Sequence, residues 1–511
     1  MRTLLRGGNV YTPVDLEATA MATDGDSVVF VGSDDAAATC AGGAQQVIEL
    51  DGALVTPAFV DAHVHTTSTG LALGGLHLAK ASSLAAALDA VERHCRSTRG
   101  GVVLGHGWDE TRWPERRPPT RQELDRASYG GVVYLSRIDV HSSVVSSALL
   151  AAAPEARGES GFRDDGLLTR EAHHVARRVA REALTADQRR DAQRATRRRA
   201  AEVGIGCYHE LAGPDISGID DLREVLELAA AEPGPEVLGY WGELGGAERA
   251  RELGTLGAAG DLFADGSIGS RTAALRTVYA DADHTGHAYL TAAQVRDHVT
   301  ACTRAGLQAG FHAIGDGALE AVIAGCAEAA AQVGSDALRA ARHRIEHAEM
   351  LDQDLLARFA ELGLIASVQP AFDAAWGGAD GMYAERLGAE RALTLNPFAA
   401  MAAAGIPLAL GSDSPVTPLD PWGTVRAAVH HHNPAHRLSA PAAFAAHTRG
   451  GWRAAGDDDG GVLAPRAPAT YAVWRTADSR AGLPALSRGD ELPTCLRTVV
   501  RGNTVFDAGQ S

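Results

Sequence analysis

The run Val55-Thr56-Pro57-Ala58-Phe59-Val60-Asp61-Ala62-His63-Val64-His65 carries the residues best suited to do chemistry. It reads as a buried apolar strand that ends in two histidines one residue apart. Side chains at i and i+2 of a strand share a face, so both imidazoles converge on one point. Neutral imidazole is the commonest nitrogen ligand of zinc and related divalent ions, and such a pair is half of a metal site. Further polar residues end later strand-like runs. Asp261 precedes, and Asp265-Gly266-Ser267 ends, one of them; His312 ends the next, His347 the one after, and Asp413 the last. A lone His312 or His347 would read as a packed histidine. The recurrence at one strand end in four units points to a metal centre.

Positioning such a set requires parallel strands with their carboxyl ends together. Apolar runs at Ala58–His65, Gly206–Leu211, Glu236–Trp241, Leu262–Ser267, Gln308–Ile314, Arg344–Ala348, Ile365–Pro370 and Pro407–Asp413 are the candidates. Helical periodicity follows most of them, at Leu222–Ala231, Ala293–Ala305, Ala318–Val333, Gln353–Leu362 and Pro397–Ala404. Eight such units predict an α/β fold, a (β/α)8 TIM barrel, with its site at the carboxyl ends of the strands. Residues about 70–184 break the repeat with Trp, Pro and Gly clusters, and are expected to be an insertion at the mouth, after the first barrel strand. Short alternating strands lie at both termini. They predict one discontinuous β-sandwich from residues 1–57 and 458–511, flanking a barrel over 58–457.

The chain has 511 residues, 45% hydrophobic and 22% charged, with a formal net charge of −17. That acidity argues against nucleic acid or an anionic membrane as partner. A small-molecule substrate is expected, and a homodimer is left open. The Arg-rich stretch Arg189–Glu202 reads as a solvated helix face, and His430-His431-His432 as a solvated helix end. Six scattered cysteines with no C-x-x-C pair, and a start without a long apolar core, predict a cytoplasmic protein with free thiols. Lys80 is the only lysine, so a mechanism that needs an active-site lysine has one candidate.

The motifs Thr56–His65, Gly105-His106-Gly107-Trp108-Asp109-Glu110, Ala264–Ala273, His312-Ala313-Ile314-Gly315-Asp316, Arg344-Ile345-Glu346-His347-Ala348 and Gly411-Ser412-Asp413-Ser414-Pro415 together resemble the amidohydrolase superfamily. The resemblance is to the branch that includes N-substituted formamide deformylase. It implies a divalent metal, with Zn2+ the expected ion, and hydrolysis of a carbon–nitrogen bond. Carried over by position, it makes His63, His65, His312 and His347 metal ligands. Asp413 would touch the attacking water and shuttle protons, with His347 beside it as a second catalytic residue. A divalent ion acidifies water and polarises a carbonyl, and a neighbouring carboxylate can move the proton, which suits those roles. Asp139-Val140-His141 resembles the family's Asp-Gly-His segment, so His141 is expected to bind substrate. Trp108, Asp109, His209, Arg271 and Gln369 are further pocket candidates, each of which also fits a packing role.

One departure bears on mechanism. Many relatives carry a carboxylated lysine bridging two metals before the Asp-Gly-Ser segment, where this chain has Asp261. An aspartate ends about 4 Å short of that group's oxygens. Either one ion is held by His63, His65, His312 or His347 and Asp413, or a rebuilt strand lets Asp261 reach a second. The single ion is the expectation. The reaction expected is cleavage of a non-peptide amide, N-acyl or N-formyl bond. Deamination of an amidine or heterocycle is the alternative, and a catalytically impaired, ligand-binding barrel is the third reading.

Overall fold

Eight short strands run parallel through the middle of the chain: β1 (Phe59–Val64), β2 (Ile205–Ala212), β3 (Glu236–Trp241), β4 (Gly257–Ala258), β5 (Gln308–Ala313), β6 (Arg344–His347), β7 (Ile365–Val368) and β8 (Leu408–Leu410). This computed structural model describes residues 1–41, 43–98, 102–477 and 482–509. The strands form two sheets, ordered β3-β2-β1 and β4-β5-β6-β7-β8. The sheets meet at both edges. Val64 pairs with Ser414 in a parallel bridge, and the Leu256 N–H donates to the Gly239 carbonyl at 2.9 Å. Most of these strands are buried on both faces, as parallel strands covered by helices must be. In β1, Val60 packs on Trp452 and Ala62 on Ala454. The alternate residues Asp61, His63 and His65 therefore face the interior.

The fourth strand departs from expectation. Leu262–Ser267 is not a strand, and regular pairing stops at Ala258. The chain turns through Gly260 at φ +99°, a conformation glycine adopts freely. It then touches β5 only at His312, which accepts from the Ala264 N–H at 2.9 Å and donates its own N–H to Leu262 at 3.0 Å. Asp261 sits in that break.

Residues 76–169 build a separate five-stranded sheet, Leu76–His77, Val103–Trp108, Val133–Arg137, Ser142–Val145 and Leu167–Thr169. It has its own core around Leu84, Val91, Trp113, Leu124 and Leu135. Helix Arg170–Glu182 covers its other face through Ala172 and Ala176. The long segment between β1 and β2 is thus a folded layer rather than a loop.

The terminal strands form two more sheets that share a core of Leu5, Met21, Val28, Val55, Tyr471 and Val499. Strand Leu54–Pro57 pairs antiparallel with Tyr471–Arg475, which joins the two ends of the chain. Trp474 ties this layer to the parallel strands. It is buried, donates its indole N–H to Thr56 Oγ1 at 2.9 Å, and packs its ring 5.7 Å from Phe59 and 5.5 Å from Trp422.

Two surface expectations change. In helix Ala186–Glu202, Arg189 and Arg194 do pair outward with Glu224 and Glu232, but Arg197 is buried and donates to the Leu228 and Glu232 carbonyls. His431 is buried as well, and His432 lies 3.0 Å from Asp373, so the triple histidine is not a solvated end. Five cysteines are free thiols; the Cys40 side chain lies outside the described residues. No helix is long and apolar enough to cross a membrane, among the residues described.

Replacing Trp474 with Ala removes this junction and leaves a cavity. The expected loss is about 3–5 kcal/mol, read as a lower urea midpoint than wild type.

Candidate metal centre

Four imidazoles converge at the carboxyl ends of β1, β5 and β6, and each is aimed by an acceptor behind it. His63 donates from Nδ1 to Glu346 Oε2 at 3.1 Å. His65 donates from Nδ1 to the Leu211 carbonyl at 3.0 Å, and His347 from Nδ1 to Gln369 Oε1 at 2.8 Å. His312 is reversed and donates from Nε2 to the Gly266 carbonyl at 3.2 Å. A carboxylate or carbonyl can only accept, so the proton of each neutral ring lies on the outer nitrogen. The inner nitrogen is left with a lone pair, as a metal ligand requires.

Two carboxylates face those lone pairs. Asp413 Oδ1 lies 3.2 Å from His63 Nε2 and 3.1 Å from His65 Nε2. Asp261 spans the group. Its Oδ2 is 3.5 Å from His63 Nε2 and 3.1 Å from His65 Nε2. Its Oδ1 is 3.6 Å from His312 Nδ1 and 3.9 Å from His347 Nε2. Donors bound to zinc at about 2.1 Å in tetrahedral geometry lie about 3.4 Å apart. The observed separations bracket that figure. Two overlapping groups of donors lie close enough together to hold an ion, His63, His65 and Asp413, and His63, Asp261 and His347, with His312 also facing Asp261.

Polar satisfaction agrees. His63 Nε2, His312 Nδ1, Asp261 Oδ1 and Asp413 Oδ1 are all buried without a hydrogen-bond partner. Buried polar atoms are rarely left so, and a divalent cation answers all four. Charge agrees too. Burial, with the neighbouring His312 second, drives His141 and His347 toward their neutral forms. Burial also opposes a charge on His65, yet the adjoining carboxylates of Asp261 and Asp413 raise it to about 9. The carboxylates thus create a demand for positive charge at this point.

The surrounding structure holds the set rigidly. Arg344 lies beneath it, fully buried. It donates to Glu346 Oε1 at 2.5 Å, to Ser367 Oγ at 2.9 Å and to the Ala62 carbonyl at 2.7 Å, and lies over the Tyr240 ring at 4.8 Å. Burial pushes Glu346 up, but the guanidinium outweighs it and holds Glu346 ionised, at about 2. Asp265 accepts three backbone N–H groups, from Ala274, Ile314 and Gly315, and so fixes the segment behind His312. His347, Ala348 and Asp413 have φ of +69°, +48° and +54°. Such conformations are strained for residues with a Cβ and persist where the surroundings over-determine them.

Not every expected pocket residue is here. His141 is, with its ring 4.9 Å from that of His312. Trp108 is buried in the inserted layer and donates to the Leu135 carbonyl. Asp109 accepts from Thr111 and Arg137 in the same layer. His209 is fully buried below the centre and receives a hydrogen bond from Arg344 at 2.9 Å. Arg271 pairs with Asp281 away from the cleft. Gln369 holds His347 rather than facing substrate. Glu346 and Asp265 were missed as supports. The parity of Arg344 and Glu346 in one strand was the available signal, since i and i+2 share a face.

A buried cluster of imidazoles and carboxylates at the ends of parallel strands defines a metal-dependent hydrolase. The chain belongs to the amidohydrolase family, whose model matches residues 46–506. It is 28% identical to Protein LONG AFTER FAR-RED 3 of Arabidopsis thaliana, over 90% of this chain and 84% of that one. It is 23% identical to N-substituted formamide deformylase of Arthrobacter pascens, over 78% of this chain and 77% of that one. An uncharacterized metal-dependent hydrolase from Pyrococcus furiosus superposes with a TM-score of 0.73 at 26% identity, covering 93% of this chain and 98% of that one.

Arg344→Met strands the buried Glu346 charge. It should cost about 3–5 kcal/mol in chemical denaturation. Adding Glu346→Gln, which removes the charge but still accepts from His63, should recover part of that loss.

Proposed function

We propose that the chain is a (β/α)8-barrel amidohydrolase that cleaves a carbon–nitrogen bond of a non-peptide amide, such as an N-acyl or N-formyl amine. Residues 58–457 form the barrel with its insertion, and 1–57 with 458–511 the flanking sandwich. The observation that carries the reading is the position of Asp261, whose two oxygens face two separate pairs of histidines. It supports a two-ion centre, zinc being the first ion to test, in which Asp261 would take the bridging role through the break after Ala258. His63, His65 and Asp413 would hold one ion, and His312 and His347 the other. Divalent ions held there supply Lewis acidity toward a carbonyl and lower the pKa of water.

The remaining chemistry falls to the chain's own groups. Asp413 is ionised, despite burial, because His63 and His65 favour its charge. It accepts the proton of the attacking water and returns it to the departing amine. His141 is kept neutral by burial and can donate one hydrogen bond to a developing oxyanion. Asp413 favours hydrolysis over mere ligand binding, since a binding site has no use for a proton carrier. The name of the Arthrobacter pascens relative supports a carbon–nitrogen bond as the target.

Elemental mass spectrometry of the purified protein should find two divalent ions per chain, and fewer in Asp261→Ala. One ion at saturation would overturn the bridging role. Asp413→Asn, compared at equal metal content on a panel of N-formyl and N-acyl amines, should lower kcat/KM by about 10²–10⁴-fold. Undiminished turnover in that variant, or in a His63→Ala, His65→Ala double mutant, would sink the mechanism.

A further inference from the structure

A cleft opens onto the metal centre, and one of its walls has no part in the chemistry above. Helix Arg170–Glu182 of the inserted layer contributes Arg177 and Arg181 to that wall. Four residues apart, they lie on one helix face. Arg177 is only 5% exposed, and its Nε has no hydrogen-bond partner. Its Nη2 meets Nδ1 of His174 at 3.0 Å, and burial keeps that imidazole neutral. Arg181 donates to Ser68 Oγ at 2.6 Å. Among the described residues, neither guanidinium has a carboxylate within 4.0 Å. The acids that act on Arg181 through space are engaged elsewhere, Asp221 by Thr67 and Gln193, and Glu210 by Thr66.

The other buried arginines are treated differently. Arg137, Arg344 and Arg386 each hold a carboxylate, at 2.9, 2.5 and 2.8 Å. Arg197 donates to two backbone carbonyls. Only the pair facing the cleft, among these, lacks an anion or an equivalent set of acceptors. Two like charges side by side in a poorly solvated wall are unfavourable unless a counter-charge arrives. Arg181 registers this. Burial first, and the Arg177 charge second, press its pKa down to about 10. The wall is also close to the reaction. His141 feels the charge of Arg177, and its ring packs on His312. A small lobe on the same centre is lined by Phe372, Trp376, Met382 and Tyr383 together with the polar Asp139, Ser267 and Glu349.

We infer that Arg177 and Arg181 bind a carboxylate of the substrate. This deepens the amide-hydrolase reading and rests on it for the bond that is cleaved. The substrates are then amides that bear a carboxylate on one side of the scissile bond.

The test uses the zinc-loaded full chain and two acids, N-phenylacetylglycine and N-phenylsuccinamic acid, each beside its neutral N-methylamide. Release of phenylacetate or aniline reports the shared bond, and calorimetry reports binding. The acids should be preferred at least tenfold in kcat/KM, and Arg177→Met and Arg181→Met should each bring that ratio toward one. Equal or better handling of the neutral partners would overturn the inference, and this comparison in wild type needs no variant to fold. So would a ratio unmoved in both variants, with Arg177→Lys, which keeps the charge, as the folding control. If no compound is cleaved but the acids still bind at least tenfold more tightly through Arg177, the anion site stands and amide hydrolysis falls. No cleavage and no charge preference in binding would overturn the inference.

Discussion

Charge buried beyond the reach of water must be met by opposite charge or by hydrogen bonds, and the interior of the eight parallel strands is organised by that requirement. Arg344 is the lowest member of the stack. It neutralises Glu346, which takes the outer proton of His63, which turns its inner nitrogen toward Asp261 and Asp413. Each partner in this way orients the next toward one point. At that point the protein supplies more acceptors than donors, and a cation completes the balance. A change at Arg344 would therefore be felt at the proposed metal site through Glu346 and His63, although Arg344 itself does not face the cleft.

Orientation rests on the strand ends. β1 delivers two histidines, and the edge shared with the end of β8 brings Asp413 beside them through the His63 carbonyl, which accepts from the Asp413 N–H at 2.8 Å. Asp61 reinforces this edge by accepting from the backbone N–H groups of both His63 and Ser412. The left-handed backbone at His347, Ala348 and Asp413 shows what the geometry demands. These residues leave the regular strand direction to turn side chains inward, and dense packing on all sides keeps them there.

The inserted layer has a different role. It has its own sheet and core. It also walls much of the cleft, with Leu104, His106 and Tyr134 from its strands, His141 next to His312, and the two arginines of helix Arg170–Glu182. Shared chemistry at the strand ends with a separate layer across the mouth is how one fold serves many substrates. The contrast between a cationic wall and an aromatic lobe is written in this layer and in the segment after β7, not in the strands.

Much of this was legible in the chain itself. Apolar runs and helical periodicity located seven of the eight parallel strands, because burial on both faces leaves an unbroken apolar signature. The histidines, Asp261 and Asp413 stood out because metal-binding residue types at strand ends have few other reasons to recur. The fourth strand was not legible. Leu262–Ser267 has strand-like composition, but its path follows from Gly260, Asp261 and the neighbouring strands, which local propensity does not see. The reach of Asp261 follows from the same break, since a short side chain suffices once the backbone moves inward. Trp108, Asp109, His209, Arg271 and Gln369 are polar or aromatic residues near motifs, and only three-dimensional contacts separate those that face a cleft from those that brace it. Residue type and spacing determined which atoms could bind a metal and which strands would carry them, because covalent order and side-chain periodicity are local. Tertiary structure decided which acceptor orients each imidazole, how Asp261 spans two pairs, and which arginines among many are left without a partner, because those depend on desolvation and on neighbours more than a hundred residues away.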